Sequence, residues 1–197
     1  MDPSLRRNPA TGGPRLVRVV RRWPAFAWAL LCLGLVVSPL ASARTPGEVQ
    51  IGGVLREATL QGLNGPSRRL AEYRGRPLVI NVWASWCGPC IEEMASLERL
   101  AWREDRIPFA VIGISTDDYP DRALAFLNRS NATIRHFIDH ALQMENMLGA
   151  SKIPLTVLVD ADGRVLDKIY GARQWDSSES LQLLARTFGP HKTTVAR

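Results

Sequence analysis

Two cysteines separated by two residues, Cys87 and Cys90, are the side chains with the clearest capacity for chemistry in this chain. They lie in the stretch WASWCGPCIEEM, after an apolar run that predicts a buried strand and before residues spaced as in a helix. Such a pair can hold a metal, lock a turn as a structural disulfide, or exchange electrons with other thiols. These three alternatives need different surroundings.

The position of Cys87 at a predicted helix start favours thiol chemistry. The backbone N–H groups of a first turn lack intrahelical partners, and the peptide dipoles add positive potential there. Both effects stabilise a thiolate, and in such motifs the cysteine pKa falls from about 8.5 to roughly 3.5–7.5. We therefore predict that Cys87 is an exposed attacking thiol and that Cys90, one turn further on, is a buried resolving thiol that breaks the mixed disulfide.

The metal and structural alternatives are less well supported by the sequence. A zinc site would need two further ligands, and the candidates are His136 and His140. We expect both histidines to be surface or partly packed residues, and we predict no metal site. A bridge across two residues closes a short loop and restricts the unfolded chain only slightly. The Cys87–Cys90 pair itself is thus the expected redox group, without a further cofactor.

Residues 1–43 have the organisation of an export segment. A basic stretch is followed by the apolar run Ala25–Val37 and by the small residues Ala41–Ala43, which form a cleavage pattern. The apolar segment also has about the minimum length for a membrane span. We predict a periplasmic protein, and the sequence leaves open whether this segment is a cleaved signal peptide or an anchor in the inner membrane.

Charge is concentrated in the same segment. The whole chain has a net charge of +6, but residues 1–43 hold six arginines against one acid. The remainder is nearly neutral and has no basic stripe that could neutralise phosphates, so we expect no nucleic-acid partner. We predict one domain over residues 44–188 and a flexible tail over 189–197. No dedicated dimerisation segment is evident, and a monomer is expected.

Strands and helices alternate through the predicted domain, which ends in a hairpin and a helix. The predicted strands span 55–60, 67–70, 77–84, 109–115, 135–138, 155–160 and 164–170, and the predicted helices span 89–103, 121–128, 142–148 and 177–188. This order predicts an α/β sandwich with a mixed central sheet.

The motif WCGPC after an apolar strand resembles the thioredoxin superfamily. Trp83 and Trp86 flank the motif as in that superfamily, and the pair Ile153–Pro154 precedes the hairpin strand. The resemblance implies a three-layer thioredoxin-like sandwich with an N-terminal strand extension and a β-α insert. It also implies a cis Pro154 beside Cys87, a backbone at Ile153 that pairs with a client strand, and a client contact at Trp86.

Two positions narrow the resemblance. Asn81 stands where cytoplasmic thioredoxins carry a buried aspartate, and Glu93 completes the pattern C-x-x-C-x-x-E. With the export segment, these residues resemble the TlpA/ResA/CcmG group of exported, often membrane-tethered thiol reductases, and residues 171–181 resemble its TlpA branch most. Glu93 follows Cys90 by one helical turn and could exchange a proton with that thiol through water. The alternative is a solvated acid beside Glu92.

This resemblance implies a reductase of client protein disulfides, with a membrane thiol-transfer protein as its electron donor. Clients in the group include cytochrome c apoproteins and copper-delivery proteins of respiratory oxidases. Two alternatives stay open from the sequence. The same motif permits a disulfide oxidant or isomerase, because direction depends on the reduction potential. It also permits a non-enzymatic copper carrier, because thiolates are suitable ligands for Cu(I).

Overall fold

The computed structural model describes residues 45–103 and 109–189. Its strands are β1 (Thr59–Gly62), β2 (Arg68–Arg69), β3 (Leu78–Trp83), β4 (Ala110–Ser115), β5 (Arg135–Ile138), β6 (Leu155–Val159) and β7 (Val165–Tyr170). Its helices are α1 (Gly88–Ala101), α2 (Pro120–Arg129), α3 (Gln143–Leu148) and α4 (Ser178–Phe188), with a 3₁₀-helix at Leu70–Tyr73. The predicted signal or anchor over residues 1–43, and the tail beyond residue 189, lie outside the described residues.

The strands form one mixed seven-stranded sheet in the order β2-β1-β5-β4-β3-β6-β7. The central strand β3 runs parallel to β4 and antiparallel to β6, and β5 continues the parallel part. Strand β7 forms the predicted hairpin with β6, and β1 extends the other side of the sheet next to β5. The predicted mixed α/β sandwich is thus confirmed. None of the helices within the described ranges is both long and apolar enough to span a bilayer.

The side chains of β3 alternate between the two faces of the sheet, as its strand geometry requires. Leu78, Ile80 and Val82 pack in one core with residues of α3 and with Val49 and Leu55, which precede β1. Val79 packs on the opposite face against residues of α1 and α4, and Trp83 contacts residues of α1 and α2 there. All six residues of β3 are buried, which explains why the strand is apolar at every position except Asn81.

The first predicted strand is displaced in the structure. It was expected over 55–60, whereas β1 begins at Thr59. Leu55 and Ala58 are buried, but their backbone groups bond outside the sheet ladder: Leu55 N–H donates to Gly163 O, and Ala58 O accepts from the N–H of Leu70, the first residue of the 3₁₀-helix. An apolar pattern reports burial of a side chain and does not by itself distinguish a strand from a loop that lines the core.

His136 corrects a second expectation. It was predicted to be a surface or partly packed residue, but its side chain is fully buried on β5. Strand β5 lies inside the sheet between β1 and β4, and Gly113 of β4 is directly opposite His136. A Cβ at residue 113 would lie 2.1 Å from His136 Nδ1, so the glycine makes room for the ring. His140 is exposed, as expected.

Candidate active site

The two cysteines are joined in a disulfide where β3 leads into α1. The S–S distance is 2.01 Å, and Cys87 is the N-cap residue of the helix. Its Sγ accepts a hydrogen bond from Cys90 N–H at 3.3 Å, which satisfies one of the free donors of the first turn. Pro89 lies in the same turn, where its missing N–H has no intrahelical partner to lose. The predicted cysteine arrangement at a helix start is therefore present.

The two sulfurs differ only slightly in exposure. Cys90 is completely buried and Cys87 is 6 % exposed, so the predicted exposed attacking residue is nearly covered in the disulfide form. The reason is packing, because both cysteines belong to a cluster that includes Trp83 and Phe126. Trp86, directly before Cys87, is 69 % exposed. Trp86 is thus an exposed side chain directly next to a nearly covered Cys87.

A buried carboxylate, Asp117, anchors the loop that carries Trp86 and Cys87. Its oxygens accept hydrogen bonds from Ser85 N–H at 2.8 Å, from Ser85 Oγ at 2.6 Å and from Ser115 Oγ at 2.7 Å. This network ties the loop after β3 to the end of β4. Sequence reasoning missed Asp117, because a polar residue after a strand has no local signal that distinguishes a surface turn from a buried anchor.

The peptide bond between Ile153 and Pro154 is cis. Pro154 is buried, and Ile153 packs against the cluster that contains both cysteines. The carbonyl of Pro154 accepts a hydrogen bond from Gly171 N–H at 2.9 Å, whereas neither backbone group of Ile153 bonds to the rest of the described chain. The segment named by the resemblance therefore lies next to the cysteine cluster and offers unpaired backbone groups.

Glu93 is buried, with an exposure of only 2 %, so the alternative of a solvated acid is wrong. Asn81 Nδ2 donates to its Oε1 at 2.7 Å, and Oε2 accepts from Arg173 N–H and from Trp175 Nε1, each at 3.1 Å. Burial raises the pKa of the Glu93 carboxyl above its usual range, and hydrogen bonds from Asn81, Arg173 and Trp175 partly oppose that rise.

The partners of Glu93 were only partly accessible to sequence reasoning. Asn81 was singled out by its position before the cysteines, and its amide also donates to Thr156 Oγ1 at 3.1 Å. Arg173 and Trp175 were missed, because they lie about 80 residues away in the connection from β7 to α4. Next to them, an open cleft of about 190 Å³ is lined by Glu92, Glu93, Ala172, Arg173 and Gln174.

The zinc alternative depended on histidines that could join the cysteines. Among the described residues, no three His, Cys, Asp or Glu side chains come together as a metal site. His136 instead packs edge-on against Trp83, with a distance of 5.3 Å between ring centroids.

Comparisons with known proteins agree with this geometry. A family model described as Redoxin matches residues 50–184. The thiol-disulfide oxidoreductase ResA of Geobacillus thermodenitrificans is 28% identical over 123 residues, which cover 62% of this chain and 71% of ResA. The thiol:disulfide interchange protein DsbE of Vibrio cholerae is 30% identical over 137 residues, which cover 66% of this chain and 72% of DsbE.

A solved structure of a DsbE-type interchange protein from Chlorobium tepidum has the same fold. It superposes with a TM-score of 0.65 at 24% sequence identity, over 72% of this chain and 99% of that structure. The family match, these relatives and the Cys87–Cys90 disulfide together identify a protein-disulfide oxidoreductase with a thioredoxin-like fold. The chain belongs to the Redoxin family, within the thioredoxin-superfamily group of ResA- and DsbE-like thiol-disulfide oxidoreductases.

Proposed function

We propose that the protein is an exported reductase of client protein disulfides, in which Cys87 attacks and Cys90 resolves. The observation that carries this proposal is the disulfide at the start of α1, where Cys87 is the N-cap residue and Cys90 lies one turn inside the helix. Cys87 keeps a small exposed fraction of 6 % beside the exposed Trp86, whereas Cys90 is completely buried one turn before the buried acid Glu93. One sulfur is thus placed to meet a client, and the other to complete an intramolecular step.

In the first step, the Cys87 thiolate attacks one sulfur of a client disulfide. The client S–S bond breaks, an intermolecular disulfide forms, and the departing client sulfur leaves as a thiolate that takes a proton from solvent. The helix N-terminus favours the attacking thiolate, because free N–H groups and the helix dipole stabilise negative charge there.

In the second step, Cys90 gives its proton through water to the Glu93 carboxylate and attacks Cys87 Sγ. The intermolecular bond breaks, the Cys87–Cys90 disulfide forms, and the second client sulfur leaves and is protonated. The client gains two electrons and two protons, and the protein loses the same number. Glu93 then releases its proton through the open cleft that it lines.

The segment with the cis peptide bond, Ile153–Pro154, supplies a docking position for the client backbone. Ile153 lies against the cysteine cluster, and its N–H and C=O form no bond within the described chain. An extended client segment that pairs with these groups would present its disulfide to Cys87, with Trp86 covering the contact. Pro154, whose carbonyl is already bonded to Gly171, fixes the position of this segment.

The sequence and the resemblance support a proposal for the cellular setting. The basic and apolar organisation of residues 1–43 supports export to the periplasm, as a soluble or a membrane-anchored form. A membrane thiol-transfer protein would reduce the Cys87–Cys90 disulfide again after each turnover. Cytochrome c apoproteins and copper-site proteins of respiratory oxidases are the client classes that the resemblance supports.

The direction of electron flow is tested by the reduction potential of the cysteine pair. We expect a value closer to that of thioredoxin, about −270 mV, than to that of the oxidant DsbA, about −120 mV. The reason is the acid one turn after Cys90. An ionised Glu93 carboxylate disfavours a thiolate at Cys90, so the reduced form is less stable than it would be with a neutral residue at position 93, and the potential is lower. The measurement is redox equilibration of the purified full-length protein, with quantification of alkylated thiols by mass spectrometry.

A Glu92→Gln variant is the matched control, since Glu92 is the exposed neighbour of Glu93 on the same helix. Its potential should equal that of the wild type, whereas the Glu93→Gln variant should be more oxidising. A wild-type value close to that of DsbA would reverse the proposed direction and identify an oxidant.

A further inference from the structure

The segment between β7 and α4 holds the carboxylate of Glu93 from outside the active-site helix. Both bonds to Glu93 Oε2 come from this segment, one from the backbone N–H of Arg173 and one from the indole N–H of Trp175. Trp175 has no exposed surface, and its ring packs in the core with residues of α1 and α4. The indole therefore brings a single, fixed donor to a buried acid.

Additional bonds hold this segment in register with α1. Trp175 N–H donates to Ser96 Oγ at 3.0 Å, and Ser96 Oγ in turn donates to Glu93 O at 2.7 Å. One turn further along α1, Arg99 Nε donates to Asp176 Oδ2 at 2.6 Å. The backbone of Trp175 and the side chain of its neighbour Asp176 are thus both bonded to α1. The indole N–H of Trp175 therefore cannot turn away from Glu93 without breaking several contacts.

We propose that Trp175 is a positioning residue for Glu93, and that its indole N–H keeps the buried carboxylate oriented and ionised so that it can accept the proton of Cys90. This inference rests on the proton-accepting role proposed above for Glu93. It assigns a part of the reaction to the connection between β7 and α4, which lies far from the cysteines in sequence.

Within residues 45–103 and 109–189, the groups that bond to the Glu93 carboxylate are uncharged N–H donors. On α1, Cys90 lies one turn before it, and Glu92 shares the cleft. From the β7–α4 connection, the guanidinium of Arg173 bonds to Glu179 Oε1 at 3.3 Å. Among the described residues of the sheet, the neutral amide of Asn81 is the group that bonds to the carboxylate. Neutral N–H donors are thus the groups that oppose the effect of burial on the pKa of Glu93.

Loss of the indole N–H should make the carboxylate harder to ionise. A hydrogen bond to a charged group is strong enough to shift a pKa by about one pH unit. The pKa of Glu93 should therefore rise by about that amount, and the resolving step should slow at neutral pH, since a protonated Glu93 cannot accept a proton. The initial attack by Cys87 should not change, because it precedes this proton transfer.

The test compares Trp175→Phe with Trp102→Phe in the reduced full-length protein. Trp102 is the matched control, because its indole N–H also bonds to a side-chain oxygen, that of Thr133 at 2.6 Å, but at the exposed end of α1. The first readout is the pKa of Glu93 from carboxyl ¹³C shifts, assigned with the Glu93→Gln variant. The second is the pH profile of the resolving step, from acid-quenched single turnovers.

We expect both readouts to move upward by about one pH unit in Trp175→Phe and to stay in place in Trp102→Phe. An unchanged pKa of Glu93 in Trp175→Phe would overturn the inference, as would an equal shift in Trp102→Phe. If Trp175→Phe does not fold, the isosteric 3-benzothienylalanine at the same position removes only the N–H and decides the same question. The pKa readout does not depend on turnover, so a shifted pKa in a protein without reductase activity would contradict the proposed function alone.

Discussion

A Cys90→Ser variant is expected to accumulate a covalent adduct with its client. Its rate of multiple-turnover disulfide reduction is expected to fall at least about a thousandfold. In the wild type, Cys90 is held one turn from Cys87, and the two sulfurs are already bonded in the oxidised form. An intramolecular thiol in this position acts at a very high effective concentration, and an external thiol at millimolar concentration cannot replace it. The first attack by Cys87 is preserved, so the reaction stops at the mixed disulfide.

The adduct can be measured with insulin as the disulfide substrate, by non-reducing electrophoresis and mass spectrometry. All variants should carry Cys32→Ser as well, because Cys32 is the third cysteine of the chain and could form unrelated disulfides. Cys87→Ser is the matched control and should give neither adduct nor turnover. Retained turnover in Cys90→Ser, or an adduct through Cys90 in Cys87→Ser, would contradict the assigned roles.

Acid should destabilise the protein through His136, and a His136→Leu variant should lose most of that sensitivity. Burial lowers the pKa of His136 from 6.5 to about 3 in the folded state. The ring packs against Trp83, and neither ring nitrogen has a hydrogen-bond partner among the described residues. Between pH 6.5 and 3 the unfolded chain therefore binds a proton that the folded protein does not.

This difference in proton binding means that the free energy of unfolding falls as the pH falls, because protonation favours the unfolded state, which binds the proton. Above pH 6.5 the ring is neutral in both states and contributes no pH dependence. Below it, the free energy of unfolding should fall by about 1.4 kcal/mol per pH unit from this group, or about 3 kcal/mol at about pH 4.5. The measurement is urea unfolding of wild type and variants at about pH 7 and about pH 4.5, the two sides of this window.

His140→Leu is the matched control, with the same substitution at an exposed histidine four residues away. We expect it to lose stability in acid as steeply as the wild type. The drop in unfolding free energy between neutral and acid pH should be about 3 kcal/mol smaller in His136→Leu than in the wild type. Equal acid losses in His136→Leu and wild type would show that the buried ring is not the source.

Much of the frame that carries the site could be predicted from the sequence. The run from Leu78 to Trp83 is apolar nearly throughout because the strand is buried on both faces, and this continuity revealed its position. Helix α1 was predicted from the helical spacing of its residues, and Pro89 in its first turn agrees with that start. The element adjoining the cysteines on each side was therefore predicted correctly from local patterns.

The groups that act on Glu93 could not be predicted in the same way. Its position after Cys90 was visible, but burial depends on which segment covers that turn of the helix. Arg173 and Trp175 reach it from a connection about 80 residues away, and a loop has no periodicity that reveals its contacts. For the same reason, no local pattern indicates that Asp117 anchors the cysteine loop.

The burial of His136 shows a signal that was present but not used. Gly113 interrupts an otherwise apolar, buried strand, and a glycine there often marks the close approach of another group. In the structure that group is the imidazole on the neighbouring strand. Pairing between β4 and β5 is a tertiary feature, however, so the glycine alone could not identify its partner.

The most direct test of the assigned sulfur roles is alkylation of the reduced full-length protein with iodoacetamide at neutral pH, followed by peptide mass spectrometry. We expect modification at Cys87, at least about tenfold faster than at an ordinary thiol with a pKa of about 8.5, and protection of Cys90. Preferential modification of Cys90, or a Cys87 that reacts no faster than an ordinary thiol, would contradict a Cys87 thiolate at the start of α1 as the attacking group.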